Sequence, residues 1–426
     1  MCGFYGVFSL NQNIKIKSTE SIDLNHRGPD STDIFFDKNF YGKFFRLKIL
    51  GNNQSNQPMK SYDGRWIIML NGEVYNYKEL AEELEKINLI KHGDTRVLTE
   101  LIAQKGIKSI KKLNGMFAIV IYDILKKKIY LVRDRFGIKP IYYSRIDNTL
   151  FFSSEIKPFL HFGVKPTPNF EYINSYIVTS SLDYGSGSLI NEISQIESGQ
   201  CITLKNNRIS FFKWWTNNDL IVKLPNSYDE RIKLYRETLS DAVRIRLRSD
   251  VKLSMTLSGG MDSTAIYSLY KKNNFNKVEF DKPIDIYTIK YGKESGIDEV
   301  DQVEKITSSY DDTYNSIEID SSKSITKLRE TIYFQEFPAW NLSSITFQEI
   351  YKPIRDSGST VLLEGHGNDE ILGGYNTHVN MSVRYFLRKF KFRNAWAAAK
   401  IFSTMNNTTV GQKSINPIIV LLYGLI

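Results

Sequence analysis

The sequence of 426 residues contains only two cysteines, Cys2 and Cys201. Two thiols cannot build a disulfide framework, and so few cysteines are typical of proteins from a reducing compartment. The N-terminus has no basic leader before its first apolar residues and no small-residue cleavage site, so it does not resemble a secretion signal. We therefore expect a cytoplasmic protein.

Long apolar runs and blocks of one charge are also missing. The longest apolar run near the end, residues 417–426, is shorter than the roughly 20 residues that a membrane span needs. The formal charge is +9, but Lys and Arg are interleaved with acidic residues, which argues against nucleic-acid binding. A basic stretch at 384–393 (RYFLRKFKFR) would suit an anionic substrate, a membrane surface or a partner, or would simply be a solvated helix face. We expect neither a membrane span nor a nucleic-acid partner.

The length and composition predict two globular domains. Hydrophobic residues make up 42% of the chain and charged residues 24%, as in ordinary soluble proteins. A single hydrophobic core usually stops growing at about 250 to 300 residues. Residues 206–228 are polar and contain Pro225, which makes them the best linker candidate. We expect domains at 2–205 and 229–426, with 206–228 between them.

The pattern of residues differs between the two predicted domains. The first is rich in short β-branched and aromatic runs, which predict strands at Trp66–Leu70, Phe117–Tyr122, Ile129–Val132 and Leu150–Ser153. Two stretches there are typical of helices, 77–87 and 95–105. These elements indicate a mainly β domain of the α+β class with a helical layer.

In the second domain, strands and helices are predicted to alternate. Apolar positions recur at helical spacing from residue 232 to 243. Strands are then predicted at 251–257, 284–291, 315–319 and 360–363, and helices at 264–272, 299–308, 324–334 and 344–356. Such alternation is typical of an α/β domain with an open, mostly parallel sheet.

Cys2 directly follows the initiator methionine. Removal of Met1 would place its thiol beside a free α-amine, whose reference pKa of about 7.7 to 8.0 makes it a suitable base. The thiolate could then attack an amide and form a thioester. A cysteine at this position is more often incidental, so the role depends on what surrounds it.

Polar residues suited to such a reaction lie in two further segments. Asn71-Gly72-Glu73-Val74-Tyr75-Asn76 closes a predicted strand with an exposed polar turn, and Asn71 and Gly72 could form an oxyanion hole. Alternatively, Asn71-Gly72 is simply a hairpin turn. Glutamine would also need a cation for its α-carboxylate and acids for its α-ammonium, for which Arg46, Asp94 and Glu73 are candidates.

A glycine-rich loop stands between a predicted strand and helix of the second domain. In the segment Ser258-Gly259-Gly260-Met261-Asp262-Ser263, backbone N–H groups could hold phosphates and Asp262 could bind magnesium. The loop is not a Walker loop, since GKS and GKT are absent. A second block, VLLEGHGNDEILGGY at 361–375, places Asp369 where it could bind the metal or cap a helix.

Together these segments resemble the glutamine-hydrolysing asparagine synthetase family. The resemblance rests on Cys2-Gly3, HRGPD at 26–30, NGEVYN at 71–76, GDTRVL at 93–98, RDRFGIKPIYY at 133–143 and SGGMDS at 258–263. It implies an α+β class II amidotransferase domain, an αββα sandwich of the N-terminal nucleophile type, followed by an α/β ATP-pyrophosphatase domain.

The resemblance also implies roles for individual residues. Cys2 would be the nucleophile, and Arg46, Asn71, Gly72, Glu73 and Asp94 would bind glutamine. The ATP site would include Leu257, Ser258, Gly259, Gly260, Asp262, Ser263, Ile289, Glu364 and Gly365, with Asp262 and Asp369 holding Mg²⁺. The implied substrates are glutamine, ATP and a carboxylate, aspartate in that family. Whether the chain forms a homodimer stays open.

The chain departs from the family at several positions. Arg96 replaces a common acidic residue, Glu364 replaces a small polar residue, and His366 stands where a catalytic glutamate is expected. Because imidazoles titrate near neutral pH, His366 could be the base when ammonia attacks an adenylate, or could only bond within its loop. The family also generally continues beyond the GGY motif, so the second domain is expected to be short at its C-terminus. Two alternatives stay open. The acceptor could be the carboxylate of a sugar uronic acid or a peptide precursor, or the chain could be a relative that binds glutamine and nucleotide but lacks synthetase activity.

Overall fold

The computed structural model describes residues 1–10, 22–52, 55–180, 185–220, 222–272, 282–291, 298–319, 324–338 and 343–407. The apolar run at 417–426 lies outside the described residues. In the described part, no helix combines the length and the apolar character that crossing a membrane requires.

Two antiparallel sheets lie in the first half of the chain. Their strands, in chain order, are β1 (Gly3–Ser9), β2 (Ser31–Phe36), β3 (Phe40–Arg46), β4 (Met59–Lys60), β5 (Trp66–Val74), β6 (Gly115–Asp123), β7 (Lys128–Arg133), β8 (Tyr142–Ile146), β9 (Thr149–Ser153), β10 (Ser194–Gln195), β11 (Gln200–Lys205) and β12 (Arg208–Lys213). The first sheet has the order β10-β8-β9-β1-β3-β2, and the second has the order β12-β11-β7-β6-β5-β4.

Helices cover the outer face of each sheet. They are α1 (Tyr77–Glu83), α2 (Gly93–Lys105), α3 (Lys157–His161) and α4 (Phe170–Thr179), with 3₁₀ turns at Ile87–His92 and Ile107–Lys112. Strand β5 explains the layering, because successive side chains point to opposite faces. Ile67 and Met69 enter the core between the two sheets, whereas Ile68 and Leu70 enter the core beneath α1 and α2. This arrangement is the predicted αββα sandwich.

A third sheet, entirely parallel, lies in the second half. Its strands are β13 (Leu253–Thr256), β14 (Asp285–Lys290), β15 (Asn315–Glu318) and β16 (Val361–Leu363), in the order β15-β14-β13-β16. The helices of this half are α5 (Tyr228–Arg246), α6 (Met261–Lys272), α7 (Val300–Ser308), α8 (Ser324–Gln335), α9 (Ser343–Asp356), α10 (Asn368–Leu372), α11 (Asn376–Arg388) and α12 (Phe392–Asn407). The prediction of an α/β domain with a parallel sheet is confirmed.

Apolar cores cover both faces of the third sheet. On one face, Met255 packs with Tyr267 of α6 and Val303 of α7. On the other face, Tyr287 packs with Ile350 and Ile354 of α9. Because helices pack on both faces of the two central strands, ligands bind such a sheet at the carboxyl ends of its strands.

The segment predicted to be a linker contains a strand of the second sheet. Strand β12 pairs with β11 along its whole length, and Trp214 is buried in the core beneath α1 and α2. The half of the chain that contains the two antiparallel sheets therefore continues past residue 205, because the mixed polar and apolar residues at 208–213 form an edge strand. We propose a domain boundary just after Trp214 in place of the one at 205.

The basic stretch at 384–393 joins α11 to α12. Its charged side chains Arg384, Arg388, Lys389, Lys391 and Arg393 are all exposed. Tyr385, Phe390 and Phe392 are exposed as well. The stretch therefore presents both charged and aromatic side chains at the surface, as all the alternatives that the sequence left open require.

Candidate active sites

Cys2 directly precedes β1 and lies close to the end of β3. Its Sγ accepts a hydrogen bond from the backbone N–H of Leu47 at 3.3 Å and lies 3.5 Å from the Leu47 carbonyl oxygen. The side chain is 9% exposed. Burial raises the pKa of the Cys2 thiol to about 11, although the Leu47 N–H opposes this shift. At neutral pH the thiol is therefore protonated and needs a base before it can attack.

Met1 occupies the place where that base is expected. While Met1 is present, the nitrogen of Cys2 is an amide and cannot accept a proton. Lys139, a residue that sequence reasoning missed, is buried with its Nζ 2.9 Å from the Met1 Sδ. Burial lowers the pKa of Lys139, and the charges of Glu73 and Asp134 oppose this shift. The sequence offered no signal for Lys139 beyond its place in the RDRFGIKP block.

Asn71 and Gly72 lie within β5 and do not form a turn. The strand continues to Val74, and the turn that closes it lies at Tyr75 and Asn76, so a hairpin turn at Asn71-Gly72 is wrong. Asn71 is 0% exposed, and neither polar atom of its amide has a hydrogen-bond partner among the residues that the structure describes. Gly72 has φ +133°, and a Cβ there would lie 2.0 Å from the Met116 carbonyl oxygen. Only glycine fits at 72, and the Asn71 amide is left with its polar atoms unpartnered.

The stacking of the two sheets directs Cys2 and Asn71 toward the same core. Cys2 belongs to the core between the sheets, and so does Ala118, the residue paired with Asn71 across β5 and β6. An unpaired buried amide costs free energy unless something binds it. Such an amide beside a nucleophile is what an oxyanion hole requires.

Glu73 and Asp94 form a buried acidic pair. Asp94 accepts hydrogen bonds from the N–H groups of Val74 at 2.8 Å and Thr95 at 2.6 Å. Burial raises the pKa of Asp94 to about 6. Burial and the negative charge of Asp94 also raise the pKa of Glu73 well above its ordinary value, and one Glu73 oxygen has no partner. A bound ammonium group would relieve both effects.

Arg46, at the end of β3, supplies a buried cation close to this pair. Its guanidinium donates to the carbonyl oxygens of Leu50 at 3.1 Å and Asn52 at 3.0 Å, and to Asn56 Oδ1 at 2.8 Å. Burial lowers the pKa of Arg46, and the nearby charges of Cys2 and Asp94 oppose this shift. The structure thus gathers Cys2, Arg46, Asn71, Gly72, Glu73 and Asp94 in one buried region. Arg96 is turned away, with its NH1 3.3 Å from Glu100 Oε1.

A second candidate site lies at the end of β13. Here Ser258, Gly259 and Gly260 lead into α6, and Ser263 Oγ accepts a hydrogen bond from the Ser258 N–H at 3.1 Å. Gly259 has φ +67°, and a Cβ there would lie 2.8 Å from the Gln302 side chain. The tight turn leaves the first N–H groups of α6 available for a phosphate.

A cavity of about 400 Å³ opens above this turn. Most of the residues of the second domain that were predicted to bind ATP or metal or to act in catalysis line this cavity. They are Leu257, Ser258, Gly260, Asp262, Ser263, Ile289, Gly365, His366 and Asp369. Gly259 and Glu364 lie beside the cavity rather than in its lining. The two predicted blocks of the second domain therefore meet, since β13 and β16 are neighbours in the parallel sheet.

Close packing joins the two blocks. A Cβ on Gly365 would lie 2.9 Å from the Ser263 nitrogen, so only glycine allows this approach. Asp262 Oδ1 accepts a hydrogen bond from Asn368 Nδ2 at 2.9 Å. His366 is 68% exposed and presents its ring to the Phe347 ring, with centroids 5.3 Å apart.

Glu364 lies next to His366. Its Oε2 is 3.7 Å from His366 Nδ1, and its Oε1 is buried without a partner. Burial raises the pKa of Glu364. The carboxylate is therefore poised to accept a hydrogen bond from His366 or from a ligand.

The residues of the cavity fit magnesium only together with phosphates. In the part of the chain that the structure describes, no three His, Cys, Asp or Glu side chains are grouped to hold a metal ion. Asp262 and Asp369 both face the cavity, and one or two carboxylates completed by substrate phosphates are the usual magnesium ligands. The two aspartates could thus hold Mg²⁺ when a nucleotide is bound.

Sequence reasoning missed the wall of the cavity that α9 supplies. Phe347 and Ile350 line it, together with Tyr287 and Glu299. Ile350 also packs on Tyr287 in the core, so the apolar pattern of α9 indicated a core residue and gave no sign that Ile350 lines the cavity. Only the crossing of α9 over the sheet brings Phe347 and Ile350 to the cavity.

Known families match both halves of the chain. Residues 1–215 match the glutamine amidotransferase domain, and residues 234–415 match asparagine synthase. Glutamine-hydrolysing asparagine synthetase 1 of Bacillus subtilis is 30% identical over 387 residues, which are 89% of this chain and 59% of that protein. Glutamine-hydrolysing asparagine synthetase 2 of the same organism is 35% identical over 283 residues, 62% of this chain and 38% of that protein.

A relative with a different name is Amidase chry2 of Gibberella zeae. It is 27% identical over 372 residues, which are 84% of this chain and 55% of that protein. The chain thus spans between 38% and 59% of the length of these three relatives. The first family match covers the buried thiol site, and the second covers the cavity at the parallel sheet. The chain therefore belongs to the glutamine-hydrolysing asparagine synthetase family.

Proposed function

We propose that the chain is a glutamine-dependent amide ligase of the asparagine synthetase type. Cys2 releases ammonia from glutamine, ATP adenylates a carboxylate with release of pyrophosphate, and ammonia displaces AMP from the adenylate to give an amide. Aspartate is the first candidate for the carboxylate. The observation that carries the proposal is the buried amide of Asn71, left without a partner near a buried thiol.

In the glutaminase reaction, the α-amine of Cys2, freed by loss of Met1, takes the thiol proton. The thiolate attacks the side-chain amide of glutamine, and the developing oxyanion is bound by the Asn71 amide and the Gly72 N–H. Arg46 binds the α-carboxylate, while Glu73 and Asp94 bind the α-ammonium. The protonated α-amine gives its proton to the leaving nitrogen, ammonia leaves, and water hydrolyses the thioester to glutamate and the free thiol.

In the synthetase reaction, the Ser258–Ser263 turn binds the phosphates, and Leu257 and Ile289 hold the adenine. Magnesium, when held by Asp262 and Asp369, would neutralise charge on the phosphates. His366 lies at the cavity where it could take a proton from the attacking ammonia. The two free cysteines agree with a cytoplasmic location.

The division of labour between the halves can be tested with Cys2→Ala. Glutamine-dependent amide formation should vanish, whereas the reaction with added ammonium should stay within about twofold of wild type, because only the ammonia source is removed. Cys201→Ala is the matched control, since Cys201 is also a buried thiol but lies in the second sheet. Loss of both reactions in the Cys2 variant would contradict the proposal.

The role of Asp262 is tested by Asp262→Asn. Pyrophosphate release should fall by at least about 100-fold, as when other preorganised electrostatic groups are removed, while glutamine hydrolysis persists. Asp285→Asn is the control, because Asp285 lies on the neighbouring strand and pairs with Lys252 at 2.6 Å outside the cavity. Unchanged pyrophosphate release in Asp262→Asn would exclude its metal role.

A second acceptor class is favoured by Glu364 and His366, which replace the family's small polar residue and glutamate. The same chemistry would then act on a sugar uronic acid or a peptide carboxylate. The test supplies glutamine, ATP, magnesium and a panel of acids, and identifies the amidated product by mass spectrometry. Asparagine as the sole product would eliminate this alternative. Silence with every acid, with glutamine still hydrolysed, would indicate a relative without synthetase activity.

A further inference from the structure

The segment Tyr333–Pro338, which follows and overlaps the end of α8, docks onto the amidotransferase half. The Phe334 ring lies 5.3 Å from the His26 ring, centroid to centroid. Phe337 packs against the buried cluster that contains Ile156. The Pro338 carbonyl oxygen accepts a hydrogen bond from the Tyr176 hydroxyl at 3.1 Å. We call these six residues the docking segment.

Glu336 is the charged centre of the docking segment. Its Oε2 accepts a hydrogen bond from the Ile156 N–H at 2.6 Å, and its Oε1 accepts one from the Lys157 N–H at 2.7 Å. The same Oε1 lies 3.0 Å from Lys157 Nζ. Glu336 also has φ +59°, a left-handed conformation that costs free energy for a residue other than glycine. Three contacts to one carboxylate compensate for that strain.

Lys157 contacts Glu155 as well as Glu336. Its Nζ lies 2.8 Å from Glu155 Oε2, and Glu155 is 1% exposed. The other oxygen of Glu155 is 2.6 Å from His26 Nε2 and accepts a hydrogen bond from Arg27 Nε. Burial alone would raise the pKa of Glu155, but the bond to His26 and the charges of Arg27 and Lys157 lower it to about 2. Glu155 is therefore ionised and fixes the two residues at the start of HRGPD.

The turn His26–Gly28 touches the glutaminase site on two sides. Arg27 Cδ lies 3.0 Å from the position that a Cβ on Gly3 would take, next to Cys2. A Cβ on Gly28 would lie 2.6 Å from the Arg46 nitrogen, so this turn also packs on the backbone that carries Arg46. A shift of the turn would move the nucleophile or the carboxylate-binding arginine.

Two side chains of α8 bind α9, the helix that lines the nucleotide cavity. Thr331 Oγ1 donates to Gln348 Oε1 of α9 at 2.5 Å, and Lys327 forms an ion pair with Glu349. The same helix α9 supplies Phe347 and Ile350 to the cavity wall. One continuous set of contacts therefore runs from the cavity through α9, α8 and Glu336 to the turn beside Cys2.

We infer that Glu336, a residue of the synthetase half, is a positioning residue of the glutaminase site, and that it ties the reactivity of Cys2 to nucleotide binding. The inference rests on the proposed function, in which both halves are active. Glu336 touches neither glutamine nor Cys2 and acts through Lys157 and Glu155. Binding of ATP in the cavity that α9 lines would shift the His26–Gly28 turn through these contacts.

The test compares wild type with Glu336→Gln, which keeps the shape of the side chain but removes its charge. The first measurement is the rate at which iodoacetamide alkylates Cys2, followed by peptide mass spectrometry, with and without ATP and magnesium. The second is the number of glutamine molecules hydrolysed per pyrophosphate released. In wild type, ATP should change the alkylation rate at least about fivefold, the lower end of common coupling between sites.

In Glu336→Gln, the effect of ATP on alkylation should disappear and the glutamine-to-pyrophosphate ratio should rise. Pyrophosphate release with added ammonium should stay unchanged, because the cavity is intact. Lys157→Met breaks the same connection from the other side and should act alike if Glu336→Gln does not fold. Glu330→Gln, an exposed position on the same helix, should behave as wild type.

A second control separates positioning from mere docking. Arg248 NH2 lies 2.6 Å from Glu79 Oε1 in a different contact between the halves, away from the docking segment. If Arg248→Met abolishes the ATP effect as fully as Glu336→Gln, or if ATP leaves wild-type alkylation unchanged, the inference is wrong. Alkylation needs no turnover, so it still decides the inference if wild type hydrolyses no glutamine, a result that would instead count against the proposed function.

Discussion

The backbone N–H of Leu47 donates a hydrogen bond to the Sγ of Cys2 at 3.3 Å, at the junction where β1 begins and β3 has just ended. The bond holds the sulfur in place but does not offset burial, which raises the pKa of the thiol to about 11. A thiol in this state needs a base within reach. The base that we propose is the α-amine that Cys2 would carry once Met1 is removed.

The first prediction concerns that amine. A cleavable N-terminal extension that leaves Cys2 as the first residue after proteolysis should block glutamine hydrolysis until it is cut. The expected difference is about 100-fold or more, in the range of general-base contributions. Ammonium-dependent pyrophosphate release should be equal before and after cleavage. Full glutaminase activity with the extension in place would exclude the α-amine as base.

The second prediction concerns the unpartnered amide of Asn71. Asn71→Ala should lower kcat for glutamine hydrolysis by about 100- to 1000-fold, the usual loss for one oxyanion donor. Asn39→Ala is the matched control, because Asn39 is also buried but its Nδ2 already donates to the Ser9 carbonyl oxygen at 2.8 Å. The control should lose about 1 kcal/mol of stability and keep its kcat. Equal kcat values for the two variants would refute the oxyanion role.

The third prediction is a pH dependence of glutamine binding. Burial raises the pKa of Asp94 to about 6, so its carboxylate is ionised above that pH and becomes neutral as the pH falls through it. The KM for glutamine should therefore rise below about pH 6. Asp94→Asn should have a KM raised by about 10- to 100-fold, as when a hydrogen bond to a charged group is lost. A KM for the variant that still rises at low pH would place the titrating group elsewhere.

The fourth prediction is a pH-dependent contribution of Glu155 to stability. Its pKa falls from 4.5 to about 2 on folding, which corresponds to about 3 kcal/mol. Because the folded-state pKa is the lower one, this stability is fully present above pH 4.5 and is lost as the pH falls towards 2. Urea denaturation should show Glu155→Gln less stable than wild type at pH 7 and nearly equal near pH 2. A pH-independent difference would contradict the ion-pair account.

The regular elements of the second domain could be predicted from sequence within a few residues. Strand β14 was expected at 284–291 and spans Asp285–Lys290, and helix α9 was expected at 344–356 and spans Ser343–Asp356. The reason is that buried parallel strands are short, continuous apolar runs, whereas the surrounding helices have an apolar stripe at 3.6-residue spacing.

The antiparallel half was harder to predict. Strands β2 and β12 have exposed, mixed faces, and neither was predicted. Edge strands of this kind are held by hydrogen bonds to a distant partner, as β12 is by β11, and their own residues carry little periodicity. For the same reason Asn71-Gly72 was expected to be a turn, although pairing with β6 keeps both residues in a strand.

The sequence by itself determined the chemical groups of both sites: a thiol at position 2, the Asn-Gly-Glu segment, and the glycine-rich turn that ends in Asp262. It also determined the order of the two domains, since local patterns of apolar residues and glycines carry that information. Only the tertiary structure decided the burial of Asn71 and Asp94, and only it joined Glu336 to Glu155 across 181 positions. Depth and long-range pairing depend on how whole sheets and helices pack, and no segment of the chain encodes that packing alone.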